Sequence, residues 1–180
     1  MSISIMLLLI GVASVDFREG IRNEQLRTAS QTLVEDFKRI ENLALSGQTY
    51  DFEGDVRVPS AYGLFVDSLP AQGYALYADN DDTEFYFRAD AIMGTGPVQL
   101  PEDVLITDID IGTTPVPLKL SVAYEPPNPT MHYFVSDTEN NIDAELKVVL
   151  QHEKTGNCRT VKLNRISGQA SEAPSSCPEV

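Results

Sequence analysis

The chain has 180 residues, with 27 acidic and 13 basic side chains, a formal net charge of −14, and a pI near 4.4. Residues 49–150 hold 18 acidic and 4 basic side chains, so nearly all of the imbalance lies in the middle of the chain. A surface of that sign repels phosphate backbones and argues against general nucleic-acid binding.

The first 46 residues read as one long helix. An apolar run from Ile3 to Val15 passes without a breaker into an amphipathic segment. There Leu26, Ala29, Leu33, Phe37, Ile40 and Ala44 recur at steps of three or four, the period of one helix face, with Gly47 as the expected C-cap. At about 1.5 Å per residue the helix spans roughly 65 Å, longer than a small domain needs for its core. The apolar run is shorter than the ~20 residues that cross a bilayer core. The expectation is therefore that the chain as given begins inside a longer apolar helix.

After Gly47 the pattern changes to short strand-like runs. Gln48 to Ser60 reads as a connection, with a short strand over Val56 to Val58. Ala61 to Val66 and Tyr74 to Ala78 read as a hairpin, and Glu84 to Arg88 as a strand beyond the acidic stretch Asp79 to Asp82. Val104 to Ile111 alternates over its second half, which predicts a half-buried strand whose Asp108 and Asp110 face solvent. Further strands are expected over Leu118 to Tyr124 and Met131 to Val135, separated by a proline-rich loop that cannot supply ladder donors. Ala144 to Leu150 and Arg159 to Ile166 flank the turn Lys154 to Asn157 as a closing hairpin. The fold class is α+β. Residues 1–47 form the helix and residues 48–180 an antiparallel β-domain packed on its second half.

An apolar helical start continuing into Leu26-Arg27-Thr28-Ala29 and Leu33-Val34-Glu35-Asp36-Phe37-Lys38-Arg39, followed by a β-rich domain, resembles the type IV pilins and type II secretion pseudopilins. Within that group the runs Ala61 to Val66 and Tyr74 to Asp79 look like the first hairpin of the FimT-type minor pilins and H-type pseudopilins. Members carry a basic leader and a Gly-Phe-Thr-Leu-Ile-Glu-like processing motif, and neither is present in this sequence. The resemblance implies a structural filament subunit held in the inner membrane by a single apolar helix before assembly, then displayed in a periplasmic or cell-surface filament. Its partners would be other pilin or pseudopilin subunits. Filament and membrane contacts would fall to Ile5, Leu8, Leu9, Val12 and Val15, and docking of the domain to Leu26, Leu33, Phe37 and Ile40.

For an exported protein, Cys158 and Cys177 as an even pair near the terminus point to a disulfide that closes the C-terminal loop. With two isolated histidines, they match no usual zinc spacing. No motif for a nucleophile with a base, a phosphate loop or a metalloprotease helix is present, so enzyme chemistry is not expected. Asp79, Asp81, Thr83 and Glu84 supply alternate hard oxygens of the kind calcium takes, and some pseudopilins bind that ion. The set lacks the central glycine and distal glutamate of an EF-hand, and an exposed, solvated hairpin tip explains the same residues; no cofactor is otherwise expected. DNA uptake is the competing function implied by the FimT resemblance. Its receptors carry a Gly-Arg-x-Arg-like segment where this chain reads Ser167-Gly168-Gln169-Ala170-Ser171, keeping the glycine and neither arginine, so nucleic acid is not an expected partner. A membrane-anchored surface domain that never polymerises is the remaining alternative.

Overall fold

A computed structural model describes residues 2–80, 90–116, 119–127, 130–140, 143–174 and 177, with side chains described from residue 19 onward except at residue 174. Helix α1 (Ser2–Ser46) is continuous over 45 residues, about 67 Å at the usual rise. Among the described residues its burial begins at Leu26. Leu26, Ala29, Leu33, Val34, Phe37, Ile40 and Ala44 are at most 9% exposed, whereas Glu19, Gly20 and Ile21 are exposed. The helix stops where the sequence provides a stop. Gly47 takes φ 55°, a region open to glycine at no steric cost. Its N–H bonds Ala44 O, and that of Gln48 reaches back to Leu43 O, which satisfies two carbonyls orphaned at the helix end.

The connection after the helix folds as a small antiparallel ribbon, β1 (Tyr50–Phe52) with β2 (Asp55–Arg57). The expected strand at Val56 to Val58 thus begins one residue earlier and gains a partner.

The rest forms two larger sheets, where the sequence reading expected one. The first is seven-stranded, and β3 (Tyr62–Val66) and β4 (Gly73–Ala78) form the hairpin at its centre. Both β5 (Ala91–Ile92) and β6 (Val98–Gln99) line the outer edge of β4. The second sheet takes β7 (Val104–Ile111) and β8 (Thr114–Pro115). The chain then returns to the first sheet, where β9 (Leu120–Glu125) lies against β3 and continues through β10 (Thr130–Val135) to β11 (Thr138–Glu139). It finishes in the second sheet with β12 (Leu146–His152) against β7, then β13 (Cys158–Leu163) and β14 (Ala170–Pro174). Every strand pairing among the described residues is antiparallel. The expected closing hairpin is β12 with β13, but β14 lies beyond it as a further strand. The expected strand at Glu84 to Arg88, and Leu118, lie outside the described residues.

Two local features explain why these runs pack. In β7 the register against β12 shifts between Val149 and Leu150, so that Thr107 is skipped. The extra residue restores phase: Val104, Ile106, Ile109 and Ile111 all reach the core despite uneven spacing. In β3, Gly63 leaves room for the Tyr77 ring, whose atoms would come within 2.3 Å of an added Cβ. That ring is fully buried and its hydroxyl lies 2.6 Å from Ser121 Oγ.

One large apolar core joins the helix to both larger sheets, and Ala61, Ala123 and Phe134 form a small second cluster. The docked face of α1 shares a single buried cluster with Leu64, Val66 and Val122 of the first sheet and Ile106, Ile109, Val148 and Val161 of the second. The connection between β3 and β4 also reaches the second sheet, where Ala71 and Ile106 exchange backbone hydrogen bonds of 2.9 Å each.

Candidate functional site

Leu26, Leu33, Phe37 and Ile40 lie at 2%, 0%, 0% and 0% exposure, so the apolar stripe of α1 is wholly engaged. Each such side chain contributes about 1.5–3 kcal/mol by leaving water. Strands β3, β7, β9, β12, β13 and β14 all contact the helix, which therefore lies against both sheets.

Polar bonds flank this apolar seam along its length and fix how the helix sits. Near the start Asn157 Nδ2 donates to Asn23 Oδ1 at 2.8 Å. One turn past Leu26, Ser30 is fully buried within the apolar stripe. Its hydroxyl lies 2.8 Å from Arg27 O and 2.9 Å from Glu172 Oε1, and Glu172 also accepts from Arg159 Nη1. Further along, Tyr74 donates to Asp36 Oδ2 at 2.7 Å. Burial pushes the Tyr74 phenol well above its usual range, and the hydrogen bond and charge of Asp36 push it further. Near the helix end Glu41 is raised mainly by desolvation, partly offset by Lys38. Tyr62 closes the seam by donating to Gln48 O.

Sequence periodicity located the apolar stripe but missed this polar seam. One signal was available: Ser30 interrupts an otherwise apolar face, and a buried hydroxyl needs a partner. The partner, Glu172, is 142 residues away on a strand the sequence did not reveal.

Cys158 and Cys177 lie at disulfide distance, with S–S 2.20 Å and Cα–Cα 5.3 Å across a separation of 19 residues. The bridge closes the segment that carries β14, beside a cleft between Asn23 and Leu26 of the helix and Arg159 and Glu172 of the sheet.

The other sequence candidates fall elsewhere. Ile5, Leu8, Leu9, Val12 and Val15 lie on α1, in the part whose side chains are not described. Of the calcium candidates, Asp81, Thr83 and Glu84 lie outside the described residues, whereas Asp79 is only 1% exposed. A solvated tip is therefore the wrong description of Asp79. It sits on the strand end where its own N–H bonds Ala61 O at 2.9 Å, and the neighbouring Asn80 is held by Arg57 and by Asp90. Among the described residues no group of three histidine, cysteine or carboxylate side chains is placed to hold a metal ion. Asp108 and Asp110 are half-exposed.

The four basic residues after residue 150 are all engaged. Lys154 pairs with Asp103 at 2.5 Å, Lys162 with Glu145 at 3.2 Å, Arg159 with Glu172, and Arg165 lies 5.7 Å from the centre of the Tyr133 ring. Among the described residues no helix is long and apolar enough to cross a membrane. Comparison with family models, with curated proteins and with solved structures finds no match.

Proposed function

We propose that this chain is a structural filament subunit of the pilin or pseudopilin kind, assembling with other subunits through the first half of α1. The observation that carries the reading is the division of labour within one unbroken helix. Among the described side chains burial against the sheets starts at Leu26, and the helix extends 24 residues before it, about 36 Å. Most of that extension is the apolar run Ile3 to Val15, which gains nothing from water and most from burial in lipid or against like helices. Ile5, Leu8, Leu9, Val12 and Val15 would make those contacts. The sheets would then form the outer surface, and their acidity keeps neighbouring surfaces apart and soluble.

DNA capture is less well supported. Counterion release needs free cations, and the four bases near the C-terminus are already committed to carboxylates or a ring. No specific observation favours an anchored domain that never polymerises.

The test is replacement of Leu8 or Leu9 by Arg in the full-length gene in its host. The expected result is loss of the subunit from sheared surface or periplasmic filaments, with the domain's disulfide and protease resistance unchanged. Unchanged recovery in filaments, or absence of the wild-type protein from any filament, would overturn the assignment.

A further inference from the structure

The β12–β13 turn carries an ionisable group that the filament reading does not use. His152 is 1% exposed and lies at the end of β12, with the buried core residues Leu146, Val148 and Leu150 alternating before it. It is the centre of the turn's bonding. Its N–H donates to Asn157 O at 3.0 Å, and its carbonyl accepts from Thr155 N at 3.2 Å and Gly156 N at 2.8 Å. The imidazole adds a fourth bond, with Nδ1 accepting from the Lys154 N–H at 3.3 Å. Nε2 is buried with no hydrogen-bond partner.

This geometry fits the neutral ring. An Nδ1 that accepts carries no proton, so the single ring proton of the neutral form sits on Nε2. Adding a proton places N–H against N–H at Lys154 and puts a positive charge in a buried site. The charged groups on the elements around the turn are paired with one another or exposed to solvent. On the loop before β7, Asp103 is committed to the Lys154 ammonium at 2.5 Å, and its carbonyl takes the Glu153 N–H at 2.8 Å. The Glu153 and Lys154 side chains are on exposed residues of the turn. On β13, Arg159 is committed to Glu172. On the helix turn that carries Asn23, Arg22 is half-exposed, and Glu24 and Arg27 are exposed.

We propose that His152 is an acid-released latch on the helix. The turn it organises presents Asn157, the residue that holds Asn23 of α1, and leads directly into Cys158. Protonation loosens the turn, the Asn157–Asn23 bond is lost, and the turn of α1 that carries Asn23, ahead of the buried stripe, is freed from the sheet. The apolar stretch from Leu26 to Ile40, part of the core shared with both sheets, stays in place. The device sets the freedom of the helix where it leaves the domain, whatever that helix binds.

The test is hydrogen exchange on the full chain in detergent solution, corrected for the intrinsic pH dependence of exchange. The structure predicts that lowering pH from about 7.5 to about 5 accelerates exchange about tenfold at residues 19–25 and 152–158 and leaves 26–40 unchanged. His152→Asn keeps an acceptor near the Nδ1 position but takes up no proton, and should abolish the response. His132→Asn, at the other histidine, should retain it. Nitrogen-15 shifts of the wild-type imidazole provide a readout independent of folding of the variants, because the Nε2–H neutral tautomer should persist until the 19–25 segment opens. A pH response that survives His152→Asn, disappears with His132→Asn, is absent from the wild type, or precedes any change in the His152 ring would overturn the proposal.

Discussion

Single residues in this molecule are constrained most sharply where a phenol enters the core. Tyr62, Tyr77, Tyr124 and Tyr133 are 1% exposed or less, and each has a hydroxyl partner: Gln48 O, Ser121, Gly168 O and Leu163 O respectively. Their apolar rings were legible in the sequence as strand residues. Their partners were not, because each is a backbone or side-chain group 14 to 44 residues away. Burial pushes Tyr62 up to about 12, with Tyr50 adding to it. Tyr124 is raised further by burial and then by Glu41, and Tyr133 is raised by burial despite Arg165. The folded state therefore holds these protons more tightly than the unfolded chain, whose phenols titrate near ~10. The contribution of Tyr62 to stability is complete below that pH and is lost as pH rises from about 10 through about 12, and the contributions of Tyr124 and Tyr133 begin to be lost at the same pH but over a range that extends higher. The phenolate absorbance of these buried tyrosines should consequently appear together with loss of the sheet circular-dichroism signal; their ionisation well before unfolding would contradict their burial.

At the scale of elements, boundaries set by local chemistry were readable and those set by pairing were not. The end of α1 at Gly47 follows from a residue that tolerates positive φ, and the β3–β4 and β12–β13 hairpins follow from apolar runs flanking turn residues. By contrast β14, Ala170-Ser171-Glu172-Ala173-Pro174, has no pattern of its own and is a strand because β13 offers it an edge. The disulfide closes that connection. Cys158→Ser with Cys177→Ser should lower stability by about 3 kcal/mol on the chain-entropy account of a loop of this length. Urea unfolding measures it, and β14 should show the largest gain in amide exchange. A loss below about 1 kcal/mol would mean that the strand pairing alone holds the tail.

Across the whole molecule, the docked half of α1 is the common wall of both sheets, and this makes a distinct prediction. Phe37 is fully buried in the cluster that contains residues of each sheet. Phe37→Ala should cost about 3–5 kcal/mol and shift a single unfolding transition, since neither sheet keeps a complete core without the helix. Two separated transitions by calorimetry would show that the sheets are independent units. The sequence by itself determined that a long helix with one apolar face precedes a set of antiparallel strands, because the periods of 3.6 and 2 are imposed by backbone geometry on each segment separately. It also determined the phase of the helix, down to Leu26, Leu33, Phe37 and Ile40. Only the tertiary structure decided that the strands divide between two sheets, that Ser30 meets Glu172, and that Asp79, from an acidic stretch of sequence, is buried. Each of these depends on contacts between residues far apart along the chain. Local propensity carries no record of them, and they form only when burial of the shared core offsets the entropy of bringing distant segments together.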